Sequence, residues 1–191
     1  MISEAVQAAA KSEVIVACVG ESMWNSGEAH SRTDIRIPKV QRKLINELSK
    51  LQKPLVLVVF GGRPQVLTEI EEHADAVLYV WQPGTEGGNA IAGLLYGKVN
   101  PSGKTAMSFP RASGQCPVYY NSLNTGRPNT QEANIYSSGY DDLPNTPLYP
   151  FGFGLSYTKF EYSDLRLSDE EFGCGGNLMA TVRVKNAGAA D

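Results

Sequence analysis

Short apolar runs alternate along this chain with segments whose apolar residues recur at helical spacing. SEAVQAAAKS (residues 3–12) has helical spacing with Ser3 placed as an N-cap, and EVIVACVG (13–20) is continuously apolar enough to predict a strand buried on both faces. The same reading predicts a helix over 39–51, a strand over PLVLVVF (54–60), a short helix over 65–73 and a strand over DAVLYVW (75–81). A further helix is opened by Pro83, Gly84 and Thr85 and closed near Gly97. Strands alternating with helices at this spacing mean βαβ units and a parallel sheet, so the fold class is α/β.

From about residue 100 the rhythm is lost. PSGKTAMSFP, the Asn/Pro/Tyr-rich stretch to residue 147 and YPFGFGLSYT have loop composition over a length that points to a functional or wrapping arm. Beyond residue 158 two β patterns, FEYSDLRLS and NLMATVRVKNAG, flank the turn-like EEFGCGG. These predict the opening of a second, β-sandwich domain over 159–191, too few strands to close one.

Composition narrows the function classes. With 42% hydrophobic and 19% charged residues in 191, the chain has the make-up of an ordinary globular protein. A net charge of -3 without any Lys/Arg cluster gives no electrostatic footprint for nucleic acid or an anionic membrane. No run is apolar for long enough to span a bilayer, and no secretory leader is visible at the N-terminus. Three cysteines, Cys18, Cys116 and Cys174, lack CxxC or Cys/His spacing, so neither a disulfide framework nor a zinc site is indicated.

In open parallel sheets ligands bind beyond the carboxyl ends of the strands. Three loops leave such ends here: GESMWNSGEAHSRTDIRIP (20–38), VFGGRP (59–64) and WQPGTEGG (81–88), which the topology places on one rim. Their glycines fit strand-to-helix turns. A phosphate held on the Thr85 turn is the nucleotide-binding alternative, against which stands the lack of GxGxxG and GxxxxGK[ST]. Trp24 reads either as a core filler or as a platform on which a sugar stacks, and Arg32 with Asp34 as loop-fixing contacts. His30 and His73 have no acid–nucleophile constellation around them. The residues alone thus reach an α/β domain with a carboxylate-bearing polar rim.

Several longer motifs in ordered succession go further. VIVACVGESMWNSGEAHSRTDIRIP, LQKPLVLVVFGGRP, WQPGTEGGNAIAGLLYGKVNPSGKTAMSFPR, PVYYNSLNTGRP and YPFGFGLSYTKFEYSDLRLS together resemble the C-terminal part of family 3 glycoside hydrolases of the β-glucosidase type. The resemblance implies a three-layer α/β/α sandwich with a mainly parallel, incomplete sheet over residues 1–158. The start of a fibronectin type III-like domain then fills 159–191. It implies a partner as well, an N-terminal (β/α)8 barrel of the same parent chain that carries the aspartate nucleophile.

The implied reaction is retaining hydrolysis of terminal β-linked sugars. It needs two carboxyl groups about 5 Å apart, one attacking the anomeric carbon and one protonating the departing oxygen. Carried over residue by residue, the acid/base role falls on Glu28, flanked by Ser26 and Gly27, with Glu21 as its competitor. Trp24 is carried over to the leaving-sugar subsite, and Arg32 and Asp34 to bracing the loop. No metal or organic cofactor is expected, because protonation and carboxylate attack need neither. The substrate is expected to be an oligosaccharide or β-glucoside, in the periplasm or outside the cell. The fragment is expected to be inactive without the barrel and to self-associate through its unpaired sheet edge. A non-catalytic carbohydrate-binding or assembly module is the alternative.

Overall fold

The computed structural model describes residues 1–129 and 135–190. They divide into two compact units, one made of residues 1–88 and 104–153, the other of 89–103 and 154–190. In the first, the chain runs α1 (Ile2–Ala9), β1 (Ile15–Gly20), α2 (Lys39–Ser49), β2 (Leu55–Phe60), α3 (Thr68–Glu71) and β3 (Ala76–Trp81). The strands form a parallel sheet in the order β1-β2-β3, with Ile15 beside Leu55 and Val56 beside Ala76. This is the predicted βαβ alternation.

The core forms where apolar side chains of the sheet meet the helices. Ile15, Ala17 and Val19 of β1 and Leu55, Leu57 and Val59 of β2 point one way, and Ile45 and Leu48 of α2 and Ile70 of α3 pack on them. Tyr79 and Trp81 of β3 close this layer against Phe109, ring centroids 4.8 and 5.8 Å away in edge-to-face arrangements. β2 is buried on both faces, with Leu57, Val58 and Val59 at 0% exposure. β1 departs from the prediction. Its second face, Val16 and Cys18, is exposed, because among the described residues nothing covers it as the helices cover Ile15, Ala17 and Val19. An apolar run marks a strand but does not say which of its faces is covered.

α3 is shorter than predicted because the chain first stays extended: Arg36 and Val66 form an isolated parallel bridge, and the Val66 N–H donates to the Ile35 carbonyl at 3.1 Å. That pairing holds residues 65 and 66 out of the helix. Of the long loop to residue 147, residues 130–134 lie outside the described residues. The remainder is tied down by the Phe109–Tyr149 bridge and by Gln115, whose carboxamide takes the Arg111 N–H and donates to the carbonyls of Pro144, Asn145 and Thr146.

In the second unit, α4 (Gly87–Leu95), which starts in the first, is followed by Asn100. Its side chain accepts from the Tyr157 N–H at 2.8 Å and hydrogen-bonds the Ser156 hydroxyl. β4 (Phe160–Leu167) and β5 (Ala180–Asn186) then form an antiparallel pair, exposed on both faces, interrupted by a register shift at Asp164.

Two substitutions separate the covered from the uncovered face of the sheet. Leu57→Ala is expected to cost about 2–5 kcal/mol and Val16→Thr less than about 1 kcal/mol, read as shifts of the urea midpoint.

Candidate active site

The first rim loop starts where β1 is held most tightly. Gly20 has φ +138°, and a Cβ there would lie 1.9 Å from the Phe60 carbonyl oxygen, so only glycine lets the strand ends come this close. Gln41, in the first turn of α2, pairs with the same residue. Its Oε1 accepts from the Gly20 N–H at 2.7 Å and its Nε2 donates to the Gly20 carbonyl at 3.1 Å.

Glu21 follows, and its side chain turns inward, 1% exposed. The Arg63 Nε donates to its Oε2 at 3.2 Å, and the Arg32 Nε lies 3.6 Å from its Oε1. A carboxylate out of water requires such counter-charges. The remaining contacts of the two arginines fold the loop. Arg32 donates to the Asp34 carbonyl at 3.0 Å. Arg63 donates from Nη2 to the carbonyls of Asn25 and His30, the latter at 3.2 Å. The Tyr79 hydroxyl donates to the Arg63 carbonyl, fixing the backbone that carries this guanidinium. Burial, and then the negative charge of Glu21 beside it, push the Tyr79 phenol above its usual ionisation range.

The loop tip is different in character. After a short 3-10 turn over Met23–Asn25, the His30 N–H closes a turn onto the Gly27 carbonyl at 3.2 Å. Gly27 and Ala29 both take positive φ, +126° and +62°. Glu28 stands between them, exposed, and among the described residues its carboxylate has no hydrogen bond or ion pair. Trp24 is 73% exposed, so it is not a core filler. The tip meets the second rim loop at Gly62, where a Cβ would fall 2.1 Å from the Ser26 Oγ and 3.1 Å from the Gln82 Nε2 of the third loop. The three predicted loops therefore do converge.

Asp34 belongs to a separate network. The Arg36 guanidinium takes its carboxylate in a fork, Nε to Oδ1 at 2.9 Å and Nη2 to Oδ2 at 2.7 Å, and holds the carboxyl well below the usual range. Arg36 continues to Glu69 at 3.0 Å, which also binds Arg42. An open cleft of about 420 Å³ runs beside this network, lined in part by Asp34, Arg36, Glu69 and Arg111. Neither Glu28 nor Trp24 lines it. Among the described residues no group of His, Cys, Asp and Glu is placed to hold a metal ion.

The sequence reading singled out Glu21, Trp24, Glu28, Arg32 and Asp34. The structure pairs Arg32 with Glu21, ties Asp34 to Arg36, and leaves Glu28 and Trp24 outward. Arg63, Gln41 and Tyr79 were missed. For Arg63 a signal existed: a lone cation directly after Gly61-Gly62 on the same rim as a strand-end glutamate.

Comparison with known proteins adds the lineage. A family model described as glycosyl hydrolase family 3 C-terminal domain matches residues 1–157. The chain belongs to glycosyl hydrolase family 3. Its relatives in the family include the periplasmic β-glucosidase of Salmonella typhimurium, 55% identical over 98% of this chain and 25% of that protein. A β-xylosidase of Formosa agariphila is 38% identical over 97% of this chain and 25% of its own length. A β-glucosidase from Listeria innocua, solved in complex with glucose, superposes with a TM-score of 0.93 at 43% identity, covering 99% of this chain and 26% of that one. This family 3 chain thus spans about a quarter of the curated relatives it matches, and its α/β fold is that of solved β-glucosidases.

Two outcomes test the buried cluster. Removing the Glu21 carboxylate leaves two partly exposed arginines without their counter-charge but with their carbonyl acceptors, so Glu21→Ala is expected to cost about 1–3 kcal/mol by urea denaturation. Tyr79 and Tyr149 both have folded ionisation raised, chiefly by burial. Their contribution to stability is complete below pH about 10 and is lost as the pH rises past that point, because the unfolded chain releases those protons first. An absorbance titration should accordingly show two of the nine tyrosines ionising after the others, and the phenylalanine variant of Tyr79 should leave one.

Proposed function

We propose that this chain supplies the general acid/base of a retaining β-glycosidase of the β-glucosidase type, and that Glu28 is the residue. The observation that carries the reading is the division of labour between the loop's two glutamates. Glu21 is enclosed and neutralised by Arg63 and Arg32, whereas Glu28 stands exposed and unpartnered at the tip. A proton donor for a departing sugar oxygen has to reach outside its own domain, and of these two glutamates Glu28 is the one free to do so.

In this reading Glu28 protonates the glycosidic oxygen as the bond to the anomeric carbon breaks. It then takes a proton from the water that resolves the glycosyl intermediate. Trp24, exposed on the same loop, offers a flat apolar face to the leaving sugar, and Arg32 and Asp34 brace the loop. The aspartate nucleophile and the pocket for the glycone belong to a (β/α)8 barrel elsewhere in the same polypeptide. Residues 1–158 form the α/β sandwich domain and 159–191 the start of a fibronectin type III-like domain; the end of the family match at residue 157 supports that boundary. The Salmonella typhimurium relative's name supports a periplasmic or secreted location, and among the described residues no helix is long and apolar enough to cross a membrane.

The test is a chimera in which this chain replaces the matching quarter of the Salmonella typhimurium enzyme, assayed with an aryl β-glucoside beside the chain alone. The chimera should turn over and the isolated chain should not, and Glu28→Ala should reduce kcat/KM by about 10²–10⁴. Undiminished turnover by the Glu28→Ala chimera would remove Glu28 from the mechanism. Sugar binding without any turnover would favour a carbohydrate-binding module.

A further inference from the structure

We propose that Arg63 is the positioning residue for Glu28, an inference that rests on the acid/base reading above. A single guanidinium nitrogen, Nη2, donates its two hydrogens to two carbonyls, those of Asn25 and His30. These residues stand at either end of the four that make up the tip, 26–29, so one atom of Arg63 sets the chord across which Glu28 is strung. The guanidinium in turn has little freedom to rotate, since its Nε is engaged by the buried Glu21 at 3.2 Å. Its backbone is held by the Tyr79 hydroxyl on the neighbouring strand. Gly62, next to it in sequence, adds the close approach to Ser26 inside the tip.

The geometry also says why the residue is arginine. Three acceptors, a carboxylate and two carbonyls, are served at once by the planar fork of donors, whereas an ammonium on a flexible stem is a single point charge. Lysine at 63 would keep the counter-charge for Glu21 and release the chord. Arg32, the other cation on Glu21, donates to the Asp34 carbonyl and to nothing in the tip, so the two arginines have separate tasks. Positioning matters because a misplacement of about 1 Å in a catalytic group costs on the order of a hundredfold in rate.

Arg63→Lys is the informative variant, with two readouts. In the isolated chain carrying 5-fluorotryptophan, the fluorine line of Trp24 in the loop should move towards that of the free amino acid while the line of Trp81 in the core stays in place. In the chimera, kcat/KM is compared for phenyl β-glucoside, whose leaving group needs a proton, and 2,4-dinitrophenyl β-glucoside, whose leaving group does not. Arg63→Lys should lose at least about tenfold more on the phenyl substrate, the same selectivity as Glu28→Gln. An unmoved Trp24 line, or equal losses on both substrates while Glu28→Gln remains selective, would overturn the role of Arg63 alone. Equal losses in Glu28→Gln would instead overturn the acid/base reading itself.

Discussion

The structure of this rim depends on a carboxylate placed out of water. Glu21 comes directly after a β1 residue that cannot move, because Gly20 is pressed on the Phe60 carbonyl and paired with Gln41. The side chain therefore enters the interior, and the cost of taking its charge out of solvent is offset by a hydrogen bond from Arg63 to Oε2 and by the charge of Arg32 3.6 Å from Oε1. The two cations come from different loops, Arg63 from the one after β2 and Arg32 from the far limb of the first. Neutralising Glu21 thereby closes an 18-residue connection around a single anion. A buried ion pair adds little net stability by comparison with apolar packing, but it selects one arrangement of the groups that satisfy it.

The remainder of the loop is divided by this anchor into a fixed base and a presented tip. The base is built from side chains that meet backbone: Arg63 on Asn25 and His30, Arg32 on Asp34, Gln41 on Gly20. The tip uses backbone conformations that L-residues adopt at a cost, Ala29 at φ +62° among them, and a glycine before it. Strain of this kind is sustained where the surroundings over-determine the path, as the paired carbonyl contacts of Arg63 do here. The Asp34–Arg36–Glu69–Arg42 network lies outside this arrangement and secures the start of α2 against α3.

The βαβ rhythm was legible because apolar runs of strand length and helical spacing are local properties, read within a window of ten residues. The three rim loops followed from it, since parallel strands put their carboxyl ends side by side. The place of Arg63 on the rim carried a signal in the sequence, but its bonding did not, because its partners lie 33 to 42 positions away and their meeting depends on the register of β1 on β2. The exposure of one face of β1, predicted as buried on both, was missed for a related reason: the residues of EVIVACVG are alike, and only what packs on them distinguishes Val16 from Ala17. The shortened α3 failed differently, a propensity overruled by the long-range bridge between Arg36 and Val66.

The pairing of Gln41 with both polar atoms of Gly20 has a mechanical meaning. A side-chain amide that mimics the next rung of a sheet ties the root of the loop to the first turn of α2. Any excursion of Glu28 has to pivot at the two positive-φ residues around it, which shortens the swinging arm to a few residues and limits its throw to roughly 10 Å at full stretch. The Glu28 carboxyl is thus carried on a short arm above a tightly bonded footing.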